Sequence, residues 1–173
     1  MRLQRLFILT MSIASIVLCS CGGHFTSDEA TRSKIHEKFE SRRKLFTDGD
    51  VFKIFDKHLS TPEREAMEFL YAYMTSADMG DYEGEYFLDN VRMSLKARRQ
   101  MAWGEQVPED IFRHFVLPIR VNNERLDDFR MMYYDTLRKR VEGMTLHDAA
   151  LEVNHWCHEK VTYVPSDSRT SSP

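Results

Sequence analysis

The sequence lacks several patterns by which a function is commonly recognised. It has no internal repeat and no low-complexity tract, so it has neither the period of a repeat protein nor the biased composition of a low-complexity chain. It has no glycine-rich phosphate loop and no nucleophile-elbow motif, which argues against a nucleotide-binding loop and a hydrolase serine site. No basic stripe with interleaved aromatic residues occurs, and the formal net charge is −3, so a nucleic-acid partner is not expected.

The first twenty residues have the pattern of a targeting segment. Arg2 and Arg5 precede an apolar run over residues 6–18, which is too short to span a membrane as a helix. The run ends in the letters LCSCGG at residues 18–23. Cys21 therefore has a hydrophobic residue three places before it, a small residue directly before it and a glycine directly after it.

This arrangement resembles the lipobox of bacterial lipoproteins. The resemblance implies cleavage before Cys21 and acylation of that residue, and Cys19 is a poorer candidate because Leu18 would lie at its cleavage site. Several acyl chains give stable anchoring where one does not. We therefore expect a membrane-lipid partner at the bacterial cell envelope, in the outer membrane or facing the periplasm. The alternative is a plain secretory signal that is cleaved near Ser20.

Cleavage before Cys21 would leave a mildly acidic chain with one free thiol. It removes two of the 24 basic residues and none of the 27 acidic ones, so the net charge becomes −5. Cys19 would leave with the signal and Cys21 would be acylated. Cys157 then remains alone, and no intrachain disulfide is predicted.

Apolar spacing predicts a mainly α protein. Helices are expected over residues 28–46 and 51–59. A third helix begins either with Ser60 as N-cap, in a capping box with Glu63, or with Thr61 as N-cap and Pro62 at the first helical position. That third helix has the buried stripe Ala66, Met67, Leu70, Tyr71 and Met74.

The second half of the chain continues the helical pattern with two exceptions. A loop is expected over residues 79–84, and a helix follows it through Leu88, Val91 and Leu95. A short helix begins at Pro108. Residues 116–121 are predicted as a buried extended crossing, because a residue before a proline is disfavoured in the α conformation. After a turn at 122–123, helices are expected over 127–141 and from Thr145, and a strand over 161–164.

Cys157 is the obvious candidate nucleophile, with His155 and His158 close in sequence. Neighbours in sequence are rarely catalytic partners, because the base must meet the thiol in space. Cys157 shares a helical face with Ala149 and Val153, so core packing is favoured over catalysis.

Four histidines are considered as ligands of a metal or as part of a polar site: His114, His147, His155 and His158. His155 and His158 are three residues apart, which is a spacing that zinc ligands on one helix can have. Cys157, however, points away from His155, and His147 supplies no second pair of ligands. His114 is a helix-surface or satisfied core histidine, or it reaches a polar partner at a domain seam. No metal site and no cofactor are predicted.

The stretches at residues 108–124, 152–163 and 166–173 are similar to transglutaminase-like domain lipoproteins of bacteria, whose cores are of the papain-like cysteine type. The letters EVNHWCHEKVTY at residues 152–163 have the strongest likeness. The chain is thus divided into a signal peptide over 1–20, a tether over 21–27 and a helical N-terminal domain over 28–143. Residues 144–173 would be the first helix and strand of a truncated α+β core.

In that family the nucleophilic cysteine heads a helix that would follow residue 173, and its histidine and aspartate partners come later. The resemblance thus implies Cys-His-Asp acyl transfer or amide or peptide hydrolysis in the full-length form, with no catalytic residue in this chain. A lone helix and strand cannot bury an apolar face, so we expect an incomplete core. Protein, peptide or cell-wall substrates are implied. The alternative is a non-catalytic envelope lipoprotein that binds or scaffolds a partner.

Overall fold

The computed structural model describes residues 25–46, 50–120 and 126–162. Within these ranges the chain is mainly helical, which confirms the predicted class, and no strand occurs in them. The helices are α1 (Glu29–Arg43), α2 (Thr61–Tyr73), α3 (Ser76–Asp81), α4 (Gly84–Gln100), α5 (Glu109–Ile111), α6 (Phe129–Arg140) and α7 (Leu146–Lys160). Two 3₁₀-helices (Asp50–Asp56 and Gly104–Gln106) and a π-helix (Phe112–Val116) complete the described elements.

The helices begin where side chains satisfy the free amides of the first turn. The predicted capping box of α2 is confirmed, with the Ser60 N–H donating to the Glu63 carboxylate at 2.8 Å. The Asp28 carboxylate caps α1, and the Thr145 hydroxyl accepts from the Asp148 N–H to cap α7. Each cap gives an amide a partner that the helix itself cannot supply, which stabilises these ends by about 1 kcal/mol.

The main core lies between α1, α2, α4 and the first 3₁₀-helix. Side-chain contacts pair His36 with Glu68 and Arg42 with the carbonyl of Met74, so α1 and α2 run in the same direction. Tyr71 and Phe87 are in edge contact at 5.7 Å, and the order of contacts makes α4 antiparallel to α2. Of the predicted α2 stripe, Ala66, Met67, Leu70 and Tyr71 are buried and Met74 is half-buried.

The predicted amphipathic helix over 51–59 forms as a shorter 3₁₀-helix. Three residues per turn align Val51 with Ile54 and Phe52 with Phe55, and all four side chains are buried. The tighter winding therefore presents two apolar rows to the core, where an α-helix would have spread them over a wider arc.

The loop predicted over 79–84 is wrong in its first half. Residues 79–81 belong to α3, whose N-cap is Thr75, with the Thr75 hydroxyl accepting from the Asp78 N–H at 3.2 Å. Met79 is buried against the core and Arg42 contacts its sulfur. Packing of Met79 thus favours a helical turn that the glycine at position 80 alone would not.

The extended crossing predicted over 116–121 is wrong at its first two residues, although Leu117 is buried as expected, and residue 121 lies outside the described residues. Leu117 has helical angles (φ −71°, ψ −41°), and its N–H donates to the Phe112 carbonyl at 2.9 Å, which is the spacing of a π-helix. Pro118 cannot donate the next bond. The Arg130 guanidinium satisfies the carbonyls around it, and this tertiary contact overrides the local preference of a residue before proline.

The last two described helices form an antiparallel hairpin. Gly143, at φ +76°, makes the turn, and Arg140 pairs with Glu152 across the hairpin. Tyr133 and Trp156 are in edge contact at 5.0 Å. Val161 donates its N–H to the Cys157 carbonyl, so in the described residues the chain ends α7 without entering a strand.

Several predictions fall outside the described residues: the signal over 1–20, Cys21, the turn at 122–123 and residues 163–173, which include the second half of the predicted strand. Within the described ranges, no helix combines the length and hydropathy needed to cross a membrane.

Candidate functional site

Cys157 lies on α7 as a half-buried free thiol. Of the predicted apolar face, Ala149 is buried and Val153 is half-buried, whereas Leu146 and Ala150, which are the apolar residues beside that face, are exposed. The residue that anchors the face is Trp156, which is 4% exposed. Cys157 therefore lies at the edge of the hairpin interface.

The histidines of α7 do not converge on the thiol. His155 contacts Glu159 one turn further along the helix, Nε2 to Oε1 at 3.1 Å, and its side chain is largely exposed. His147 and His158 are also exposed. No group of three potential metal ligands occurs among the described residues.

His114 is a surface residue that packs on aromatic rings. Its ring meets Phe69 edge-on at 5.2 Å and Tyr73 at 6.3 Å. The structure thus places His114 on the helix surface, which is one of the three positions that the sequence left open.

The start of the described chain is held by the domain. Phe25 is 4% exposed and packs between Phe69 and Phe112, with ring centroids at 6.2 and 5.9 Å. Its N–H donates to the Glu65 carboxylate at 2.7 Å. Both the ring and the backbone of this residue are therefore fixed to helices that lie far away in sequence.

Two further residues complete this attachment. Thr26 is 1% exposed, and its hydroxyl accepts from the Arg113 guanidinium at 2.6 Å. The Ser27 N–H donates to the Glu109 carboxylate, and Arg32 donates to the carbonyls of Thr26 and Ser27. We call residues 25–27 with these partners the N-terminal clamp.

The clamp shows that the folded domain begins before the predicted boundary at residue 28. The sequence assigned 21–27 to a tether and began the domain at residue 28, but Phe25 and Thr26 are buried parts of the domain. Only residues 22–24 separate Phe25 from Cys21. A lipid on Cys21 would therefore be attached very close to the folded surface.

An apolar cavity of about 240 Å³ lies between α4, α6 and the inner face of α7. Its lining includes Val153 of α7, Tyr133 of α6 and Ala97 of α4. Phe129 lines it while remaining 41% exposed. The cavity is large enough for a small apolar group and has few polar partners to offer it.

Arg130 forms part of the cavity wall, and its side chain is half-buried. It donates to the Ser94 hydroxyl at 2.7 Å and to the carbonyls of Val116, Leu117 and Pro118. Burial lowers the pKa of Arg130 to about 10. The guanidinium remains charged at neutral pH and joins α6 to the end of the π-helix.

Three residues that make these sites, Trp156, Thr26 and Arg130, were not among the predicted site residues. Trp156 could have been found, since it follows Ala149 by seven residues and Val153 by three. Thr26 and Arg130 had no local signal, because their partners lie 87 and up to 36 residues away. Their roles depend on tertiary contacts alone.

Comparison with protein-family models, with curated proteins and with solved structures found no match for this chain.

Proposed function

We propose that this chain is the N-terminal part of a membrane-anchored, transglutaminase-like lipoprotein of the bacterial envelope. Its helical domain would join a lipid on Cys21 to a core that performs Cys-His-Asp acyl transfer or amide or peptide hydrolysis in the full-length form. The observation that supports anchoring most directly is the N-terminal clamp. It binds the chain four residues after the lipobox cysteine, so that an anchor there would hold a folded domain.

The catalytic part of the proposal rests on the resemblance of residues 108–124 and 152–173 to that family. Cys157 lies at a helix interface and no imidazole faces it in the described residues, so another cysteine would have to serve as the nucleophile. In that reading, α7 is the helix that precedes the catalytic one.

Two measurements test this proposal. Intact-mass analysis of the mature protein is expected to show an acylated Cys21, and a free N-terminus there would overturn the anchor. The coding sequence beyond Pro173 is expected to supply a cysteine within a few tens of codons, followed by histidine and aspartate. A stop codon or replacement of those residues would overturn the enzyme.

The apolar cavity favours a second candidate, a non-catalytic lipoprotein that binds an apolar partner group. Filling the cavity with Val153→Phe is then expected to abolish binding of the fluorescent probe N-phenyl-1-naphthylamine. Leu151→Phe, on the exposed side of α7, is the matched control and is expected to bind the probe normally. Equal binding by both variants would contradict a role for the cavity.

A further inference from the structure

A groove of about 480 Å³ lies between α1 and the start of α2. Its volume is within the range of about 300–1,000 Å³ that is typical of small-molecule sites. Phe25, Ile35 and Leu59 form its apolar floor, and each is at most 8% exposed. The walls carry ionisable side chains from both helices: Glu29, Arg32, His36, Arg64, Glu65 and Glu68. A ligand in the groove would therefore meet an apolar surface and both signs of charge.

Two of these side chains already have partners within the N-terminal clamp. The Arg32 guanidinium donates to the carbonyls of Thr26 and Ser27, and the Glu65 carboxylate accepts from the Phe25 N–H at 2.7 Å. Arg32 Nε and Glu65 Oε1 are 3.8 Å apart. Both side chains therefore hold the start of the domain together, and the groups that could serve a ligand lie elsewhere in the groove.

Glu68 is a buried carboxylate with one oxygen still open. The residue is 8% exposed, and its Oε2 atom lies 3.0 Å from His36 Nδ1. No other hydrogen bond to this carboxylate occurs in the part of the chain that the structure describes. Because no fully buried side-chain oxygen there lacks a partner, Oε1 remains accessible through the groove that Glu68 lines. A largely desolvated carboxylate is stabilised by a charged donor, so this oxygen favours an ammonium group.

Arg64 supplies the opposite charge from one turn earlier on α2. Residues four apart on a helix have Cβ atoms about 5–6 Å apart, and opposite charges at this spacing commonly pair. Here they do not, because the Arg64 guanidinium donates to the Phe55 carbonyl at 3.0 Å, whereas Glu68 contacts His36. Among the described residues no carboxylate forms an ion pair with Arg64. The two charges therefore line the groove separately.

We propose that this groove binds a zwitterion with an apolar body, an apolar amino acid or short peptide whose ammonium group lies at Glu68 and whose carboxylate lies at Arg64. Charge complementarity specifies this ligand. An acid alone would meet the carboxylates of Glu29 and Glu68, and an amine alone would leave Arg64 unpaired. The planar guanidinium has further N–H donors in the geometry that a carboxylate accepts. The inference depends neither on the anchor nor on a catalytic core.

NMR of the backbone amides tests the site by titration of the purified protein with leucyl-leucine and with free leucine. These two probes separate a peptide from an amino acid as the source of the zwitterion. At least one is expected to bind and to shift the amides of Ser33 and Thr61, which line the groove, while Val153 stays unshifted. Acetylation of the ammonium group or amidation of the carboxylate is expected to weaken binding by about tenfold, since each removes a charge-assisted hydrogen bond.

Two variants assign each charge of the ligand to a residue. Arg64→Gln is expected to weaken binding of the unmodified probe by about tenfold and to bind the amidated probe as the wild type does. Glu68→Gln should weaken binding of the unmodified probe to the same extent and bind the acetylated probe as the wild type does. Arg99→Gln and Glu37→Gln, at exposed positions outside the groove, are the matched controls and should bind every probe normally.

Arg64 is exposed, so its variant keeps the test decisive even if Glu68→Gln lowers the stability of the fold. Three results would overturn the proposal. These are the absence of amide shifts in the groove with both probes at millimolar concentration, equal binding of charged and blocked probes, and shifts that arise outside the groove alone.

Discussion

At the scale of single residues, Tyr71 shows how one buried polar atom couples the core to pH. The Tyr71 ring is in edge contact with Phe55 at 5.2 Å, and its hydroxyl donates to the Val51 carbonyl at 3.1 Å. Burial raises the pKa of Tyr71 above its ordinary value near 10. Above pH 10 the folded state therefore keeps the Tyr71 hydroxyl proton, which the unfolded state loses.

Tyr71→Phe is therefore expected to lower the free energy of unfolding by about 1–2 kcal/mol at pH 7, because the Val51 carbonyl loses its donor. The wild-type contribution is complete below pH 10 and declines as the pH rises above 10, so the variant should lose less stability there. Urea unfolding at pH 7, 9.5 and 10.5 measures both effects. Tyr73→Phe, on the exposed side of α2, is the control and should change neither.

The Arg130 side chain stabilises the fold through hydrogen bonds that only a guanidinium can make together. Its planar guanidinium serves one hydroxyl and three carbonyls at once, whereas a lysine ammonium is a point donor that cannot reach them all. Arg130→Lys is expected to lower the free energy of unfolding by about 1–2 kcal/mol, because the partly buried carbonyls of Leu117 and Pro118 lose their donor. Arg99→Lys, at an exposed position, should cost little. Equal urea midpoints for the two variants would contradict this role.

At the scale of elements, the end of α4 depends on the absence of one side chain. A Cβ at Gly104 would overlap the Arg98 carbonyl, whereas a Cβ at Gly80 in α3 would meet open space. Gly104→Ala is expected to destabilise the protein by about 2 kcal/mol or more through this backbone clash. Gly80→Ala should be neutral or stabilise by about 0.5–1 kcal/mol, since it restricts the unfolded chain. Thermal unfolding of the pair measures the contrast.

The elements also show what local sequence can and cannot specify. Ser60, Glu63 and Thr145 mark helix starts correctly, because a cap bonds to amides within three residues of itself. The conformation of Leu117 could not be predicted from its neighbours in sequence. Its helical angles depend on Arg130, which lies thirteen residues later in the chain and in another helix. The features at the N-terminus also differ in whether they depend on local or on distant residues. The pattern around Cys21 that resembles a lipobox is local, whereas the clamp around Thr26 depends on Arg113, 87 residues away.

At the scale of the whole molecule, the α6–α7 hairpin lies beside the main core. The continuous buried cluster extends from Phe25 to Leu126, and the buried side chains Tyr134, Val141, Ala149 and Trp156 lie outside it. The cavity lined by Val153 further reduces contact between the hairpin and α4. Few shared apolar contacts mean that a segment opens at lower free energy than the rest of the fold.

Hydrogen exchange followed by mass spectrometry is therefore expected to show faster exchange in α7 than in α2 or α4 under native conditions. Trp156→Ala should speed exchange in α6 and α7 further, because it removes the ring contact with Tyr133, and should leave α2 unchanged. Leu151→Ala, on the exposed side of α7, is the control. If α7 exchanges at the rate of α2, or if Trp156→Ala speeds all helices alike, the described chain unfolds as one cooperative unit and the hairpin is not a separate one.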